Sequence, residues 1–193
     1  MKVGLFFGTF NPVHIGHLII GSYMVEFTDL GEVWFVVTPH NPLKEKQSLL
    51  PDLHRYRMVE EATEDYPRLK PSNIEFGLPQ PNYTVNTLAY LTEKYPETEF
   101  VLIMGEDNLK TLHKWKNYEA LLENYAVYYY PRIYSETQDD QMPINGKLHR
   151  VEAPVVEISS TFIRNAIKQK KDIRAMLPPG VWNYIDTMNF YKK

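Results

Sequence analysis

The chain has 193 residues and 44% apolar side chains, with 14 Tyr, 9 Phe and 3 Trp, the size and composition of one folded domain, which excludes a disordered or low-complexity chain. A formal charge of −3 provides no global field toward nucleic acid or an anionic membrane, so any anion site has to be local. The absence of cysteine excludes disulfides, cysteine-ligated zinc, a thiolate nucleophile and iron–sulfur clusters and fits a reducing cytoplasm, and no apolar stretch reaches signal-peptide or transmembrane length.

Lys2–Phe7 is a short, nearly continuous apolar run, and the turn formers Gly8-Thr9-Phe10-Asn11-Pro12 follow it, which predicts a buried strand ending in a loop. Ile15, Leu18, Ile19, Ser22 and Val25 then recur at helical spacing, with Gly31 where a left-handed helix stop is expected. Val33–Val37 reads as a second buried strand. Pro51-Asp52 opens a helix to about Asp65, with an acid near the positive end of the helix dipole. Asn73–Phe76 is expected as a short strand, and Thr84 as the cap of a helix reaching Lys94.

Phe100–Met104 and Ala126–Tyr130 are further strands. The polar stretch Ser135–Asn145 is expected as a mobile loop. Val155–Ile158 leads into Ser159-Ser160-Thr161, which caps a helix with apolar Phe162, Ile163, Ala166 and Ile167, and Pro178-Pro179-Gly180 separates it from a last helix over about Val181–Thr187. Strands alternating with helices imply a Rossmann-like α/β fold: an open, mainly parallel sheet with helices on both faces and ligands beyond the carboxyl ends of its strands. The expected organisation is one domain over residues 1–193, with 159–193 as its small helical C-terminal part.

The loop after the first strand places His14 and His17 three residues apart, on one face of a helix start. Backbone amides there attract phosphate, Gly8 and Gly16 allow close approach to the main chain, and two imidazoles can donate to a developing phosphoryl charge. The plain alternative is a turn with polar histidines at its surface. A histidine-held metal would need a third ligand, and the sequence has no His-Glu-x-x-His pattern; the P-loop and Gly-x-Gly-x-x-Gly fingerprints are absent as well.

The segment Gly8-Thr9-Phe10-Asn11-Pro12-Val13-His14-Ile15-Gly16-His17 resembles the signature of the HxGH nucleotidyltransferase superfamily, and Ile158-Ser159-Ser160-Thr161-Phe162-Ile163-Arg164 is similar to its second motif, nearly the whole chain away. Within the superfamily the intermediate features resemble the bacterial nicotinate-nucleotide adenylyltransferase family. Thr38-Pro39-His40-Asn41-Pro42-Leu43-Lys44 looks like that family's proline-rich loop, which makes Lys44 the expected partner of the mononucleotide phosphate. Asn82-Tyr83-Thr84-Val85-Asn86-Thr87 is similar to its Tyr-Thr helix start, which implies Tyr83 and Thr84 beside the nicotinate carboxylate. Gly105-Glu106-Asp107, with Trp115 after it, looks like the family's Gly-x-Asp turn and tryptophan: an acid for ribose hydroxyls and a ring to stack on the pyridine. Packing alone is the competing reading of Asp107 and Trp115. Two departures stand out: Phe76-Gly77-Leu78-Pro79-Gln80-Pro81 replaces the usual Gly-Arg-Pro-type lead, and Asn11 stands where many members have Asp.

The resemblance implies adenylyl transfer from ATP to nicotinate mononucleotide, with Mg²⁺ accompanying the ATP and no protein-held metal. The implied catalytic residues are His14, His17 and Arg164, and the ATP contacts are Gly8, Thr9, Phe10, Gly16, Gly105, Asp107, Ser159, Ser160 and Thr161. Nicotinamide mononucleotide or phosphopantetheine as acceptor, and a non-catalytic nucleotide-binding module of the same fold, remain the alternatives. No nucleic-acid or membrane partner is expected, and self-assembly into a homo-oligomer is left open.

Overall fold

The computed structural model describes residues 1–39, 49–133, 142–143 and 146–192. In chain order it runs β1 (Lys2–Gly8), α1 (Ile15–Phe27), β2 (Glu32–Val37), α2 (Asp52–Thr63), β3 (Leu69–Ser72), α3 (Thr84–Lys94), β4 (Glu99–Gly105), α4 (Glu106–Lys110), α5 (Tyr118–Asn124), β5 (Ala126–Tyr130), β6 (Lys147–Arg150), α6 (Ser160–Lys168) and α7 (Pro179–Thr187). Among the described residues the strands form one sheet in the order β3-β2-β1-β4-β5-β6, and every neighbouring pair is parallel. The chain order reverses its direction across the sheet between β1 and β4. The loops leaving those two strands part company there and open a crevice at their carboxyl ends.

Alternation along the strands sends side chains to two separate cores. On β4, Val101 and Ile103 join a cluster with Phe6, Phe35, Met58, Ile163 and Val181, which buries α1, α2, α6 and α7 against one face. Phe100, Leu102 and Met104 of the same strand join Leu5, Leu88, Leu91, Leu109 and Leu121, which buries α3, α4 and α5 against the other. Both faces are therefore covered, which is why the central strands read as nearly unbroken apolar runs rather than alternating ones. Each fully buried side chain of this kind contributes about 1.5–3 kcal/mol relative to exposure.

The local expectations hold in outline and fail in four places. Gly31 is no helix stop: α1 ends at Phe27, Thr28 Oγ1 donates to the Met24 carbonyl, and the Gly31 N–H already pairs with the Lys2 carbonyl at 2.8 Å on the way into β2. Asn73–Phe76 is not a strand. The strand is Leu69–Ser72, and Ile74–Gly77 closes a 3₁₀ turn instead, with the Phe76 N–H donating to the Asn73 carbonyl. Thr84 is the first helical residue of α3 and Tyr83 its cap, without a side-chain capping bond. Pro179 and Gly180 lie inside the first turn of α7, where a proline's missing N–H is not needed. The segment Ser135–Asn145 falls mostly outside the described residues. No helix among those described is long and apolar enough to cross a membrane.

Candidate active site

A cleft of about 620 Å³ opens at the carboxyl ends of β1 and β4. Its floor is the loop after β1. His14 caps α1 with extended backbone, and its N–H donates to Nδ1 of His17 at 3.2 Å. That bond leaves Nε2 as the position for the His17 ring proton. The two imidazoles stack with centroids 3.8 Å apart, and Phe10 meets His17 edge-on at 5.1 Å. Gly16 fits closely into this arrangement: a Cβ there would lie 3.1 Å from both the His14 ring and Val156, so those side chains would have to give by a few tenths of an ångström.

His14 is 4% exposed. Burial, aided by the nearby Arg132 guanidinium, lowers its pKa from 6.5 to about 4, so the ring is neutral at physiological pH. The consequence for stability has a definite sign. Between pH 6.5 and about 4 the unfolded chain binds a proton at His14 that the folded chain refuses. Stability falls as pH drops through that window, by up to about 3 kcal/mol once below it. Urea unfolding at pH 7 and pH 4.5 is expected to show His14→Asn losing distinctly less stability on acidification than the parent; equal losses would exclude His14 as the source.

The far motif closes one side of the cleft. Ser159 caps α6 by accepting the Phe162 N–H at 3.2 Å. Ser160 Oγ donates to the Pro12 carbonyl at 2.8 Å, and Arg164 donates to the Asn11 carbonyl at 2.9 Å and to Thr161 Oγ1 at 3.3 Å. Residues some 150 positions apart in sequence thus form one surface, which Ser159, Ser160, Thr161 and Arg164 present to the cleft. The opposite wall is the start of α3 with Tyr83 and Thr84, together with Trp115 and Lys116; the Lys116 ammonium lies 4.3 Å over the Tyr83 ring.

The structure therefore brings His14, His17, Arg164, Gly8, Thr9, Phe10, Gly16, Gly105, Ser159, Ser160, Thr161, Tyr83, Thr84 and Trp115 to one cleft. Asp107 is not among the lining residues: its Oδ1 is buried under the Gly105 turn with no hydrogen-bond partner. Lys44 lies outside the described residues. Among those described, no group of three or more His, Cys, Asp or Glu gathers to hold a metal.

Sequence reasoning passed over Glu75 and left Tyr130 and Arg132 open between a place near the base and a subunit contact; all three line the cleft. Glu75, 1% exposed, accepts the Thr87 hydroxyl at 2.6 Å, and burial raises its carboxyl above the usual range. Tyr130, pushed up to about 12 mainly by burial, ends β5, and Arg132 follows it, its chain passing so close over Gly105 that a Cβ there would lie 2.6 Å from Arg132 Cδ. A signal for both existed, since residues just beyond the carboxyl end of a parallel strand face the ligand crevice. Glu75 was hidden by the mistaken strand.

A loop bearing stacked imidazoles at the switch point, closed by a capped helix and its arginine, defines a nucleotide-handling α/β protein. The cytidylyltransferase-like family model matches residues 5–166, and the chain belongs to that family. Within it, the sequence is 65% identical to a protein of Flavobacterium psychrophilum over the whole length of both chains and 48% identical to one of Bacteroides thetaiotaomicron, covering 96% of this chain and 91% of that one; each is named a "probable nicotinate-nucleotide adenylyltransferase". The fold also matches the Plasmodium falciparum nicotinic acid mononucleotide adenylyltransferase complexed with NaAD, with a TM-score of 0.81 at 19% identity over 99% of this chain and 97% of that one.

Proposed function

We propose that this protein transfers the adenylyl group of ATP to nicotinate mononucleotide, giving nicotinate adenine dinucleotide and pyrophosphate. The observation that carries the reading is the meeting of the stacked His14–His17 pair with the Arg164 helix start across one cleft. The full-length likeness to relatives named for this activity supports the choice of acceptor.

The chemistry needs no protein nucleophile. The mononucleotide phosphate, with a second pKa of about 6, is largely dianionic at neutral pH and attacks the α-phosphorus itself. A phosphate oxygen–phosphorus bond forms as the bond to pyrophosphate breaks, so the protein's work is placement and charge stabilisation. His17 offers its Nε2–H, and neutral His14 acts without adding charge. Ser160, Thr161 and Arg164 take the β and γ phosphates at the start of α6. Gly8, Thr9, Phe10 and Gly16 form the floor beneath the triphosphate, and Gly105 the turn on the adenosine side, with Asp107 packed behind it. On the other wall the amides at the start of α3, with Tyr83 and Thr84, receive the nicotinate carboxylate, while Trp115 offers the pyridine a flat apolar face. Lys44 and Arg132 supply cations for the mononucleotide phosphate.

The lining of hydroxyls and guanidinium suits phosphate oxygens, and an Mg²⁺ would be carried to the site on the ATP phosphates. When bound, it neutralises charge on the departing pyrophosphate. The whole of 1–193 acts as one nucleotidyltransferase domain in this reading, with 159–193 its helical C-terminal part, and the lack of cysteine suits a cytoplasmic enzyme.

Pyrophosphate release with ATP and Mg²⁺ tests the proposal, with nicotinate mononucleotide, nicotinamide mononucleotide and phosphopantetheine run in parallel. A large preference for the nicotinate acceptor is expected; equal rates with both pyridine nucleotides would make the enzyme dual-specific, and no release would remove the activity. Arg164→Lys is expected to raise the KM for ATP about fivefold, the cost of roughly one hydrogen bond lost with the planar fork. Unchanged ATP saturation would take Arg164 out of the phosphate site.

A further inference from the structure

The segment after α7 returns to the first motif. The Tyr191 hydroxyl donates to Asn11 Oδ1 at 2.8 Å, across 180 residues of sequence. The same oxygen accepts the Leu50 N–H at 3.3 Å, and the Asn11 carbonyl accepts Arg164 Nη1 at 2.9 Å. Asn11 is 1% exposed, and neither Asn11 nor Tyr191 lines the cleft. Burial holds the Tyr191 phenol well above its ordinary range, which keeps it a donor.

Tyr191 has a backbone φ of 62°, a left-handed conformation that a bulky residue adopts only where its surroundings impose it. Those surroundings are visible. Phe190 packs edge-on against His54 of α2 at 4.9 Å, and His54 Nδ1 shares a 2.8 Å hydrogen bond with the Tyr184 hydroxyl of α7. The helix pair therefore anchors the segment, and the hydroxyl reaches Asn11 from a fixed base.

From this arrangement we propose that Tyr191 is a positioning residue for ATP: its hydroxyl fixes Asn11, and the Asn11 carbonyl in turn aims the Arg164 guanidinium at the phosphates. The inference rests on the reading of Arg164 as an ATP ligand. It differs from a merely structural role in what it predicts, because a hydroxyl that only satisfied a buried amide would change stability and leave ATP affinity alone.

The test is calorimetric ATP binding by the full chain, with unfolding midpoints taken alongside, for the parent, Tyr191→Phe, Arg164→Lys and the double variant. Tyr191→Phe is expected to weaken ATP binding about fivefold, on the scale of one lost hydrogen bond. It should leave the KM for nicotinate mononucleotide unchanged and add little in the Arg164→Lys background, since both changes act on one group. Asn11→Ala breaks the same link from its other side; the same non-additive loss is expected, and it serves if Tyr191→Phe does not fold. Parent-like ATP affinity in the single variants, or additive losses in the doubles, overturns the positioning role while leaving the proposed activity standing. A parent protein that binds no ATP overturns both.

Discussion

His17→Ala is expected to lower turnover at least a hundredfold with the fold retained. The ring is one of the most constrained groups in the cleft: Nδ1 accepts the His14 N–H, one face stacks on His14 at 3.8 Å, and Phe10 and Phe6 flank it with centroids 5.1 and 6.0 Å away. A donor held this way needs no reorganisation when charge develops on the transferring phosphoryl, and removing such a donor commonly costs about 10²–10³ in turnover. The loss should fall on kcat more than on KM, because the interaction strengthens as the transition state is approached. Steady-state pyrophosphate release, with circular dichroism to check the fold, reads the result. Turnover within tenfold of the parent would end the assignment of His17 to the chemistry.

The largest effect on stability is expected from Arg55→Met. Arg55 is fully buried, yet its guanidinium is committed to four carbonyls and a carboxylate: Leu50 at 3.0 Å, Thr9 at 2.6 Å, Thr38 at 2.9 Å, Pro39 at 3.4 Å, and Asp52 at 2.6 Å. Burial works against the charge, as its lowered pKa indicates, and the Asp52 hydrogen bond and charge only partly offset that. Methionine fills much of the volume and leaves those oxygens unmatched. Asp52 is 39% exposed and can turn to water, but the inner carbonyls cannot. Breaking such a centre costs about 3–5 kcal/mol, which guanidinium chloride denaturation would register as a large drop in midpoint. A loss below about 1 kcal/mol would mean that water enters and satisfies the carbonyls. The same side chain ties the loop after β1 to the loop after β2, so partly folded variants should also bind ATP poorly.

The legible parts of the molecule are those where one residue type has few alternative uses. The apolar runs of β1, β2 and β4 are too unbroken for half-exposed strands, and their alternation with helices announced a parallel sheet covered on both sides. The meeting of His14, His17 and Arg164 in one cleft was legible because two spaced motifs agreed, and the chain folds residues 11–12 against 160–164. What escaped notice had no local signature. Arg55 reads as any arginine on a polar helix, since burial of a charge is decided by tertiary partners. β6, Lys-Leu-His-Arg, is short and mostly polar, and pairing with β5 makes it a strand where propensity does not. Asn73–Phe76 carried apolar residues without a partner strand and closed into a turn instead. Tyr191 looked like one tyrosine among 14, and only the return of the chain to Asn11 distinguishes it.

The borders of the sheet bear on how copies of this protein can meet. Among the described residues those borders are β3 and β6, each only four residues long. Pro71 removes a donor from β3, and Lys147, His149 and Arg150 are exposed along β6. A foreign strand arriving at either border would find few groups to zip onto, at β6 beside the exposed Lys147 and the Arg150–Glu152 ion pair, the device by which open sheets resist templated aggregation. Borders of this kind disfavour growth of copies into a continuous ribbon and leave the helices and loops as the surfaces open to contact.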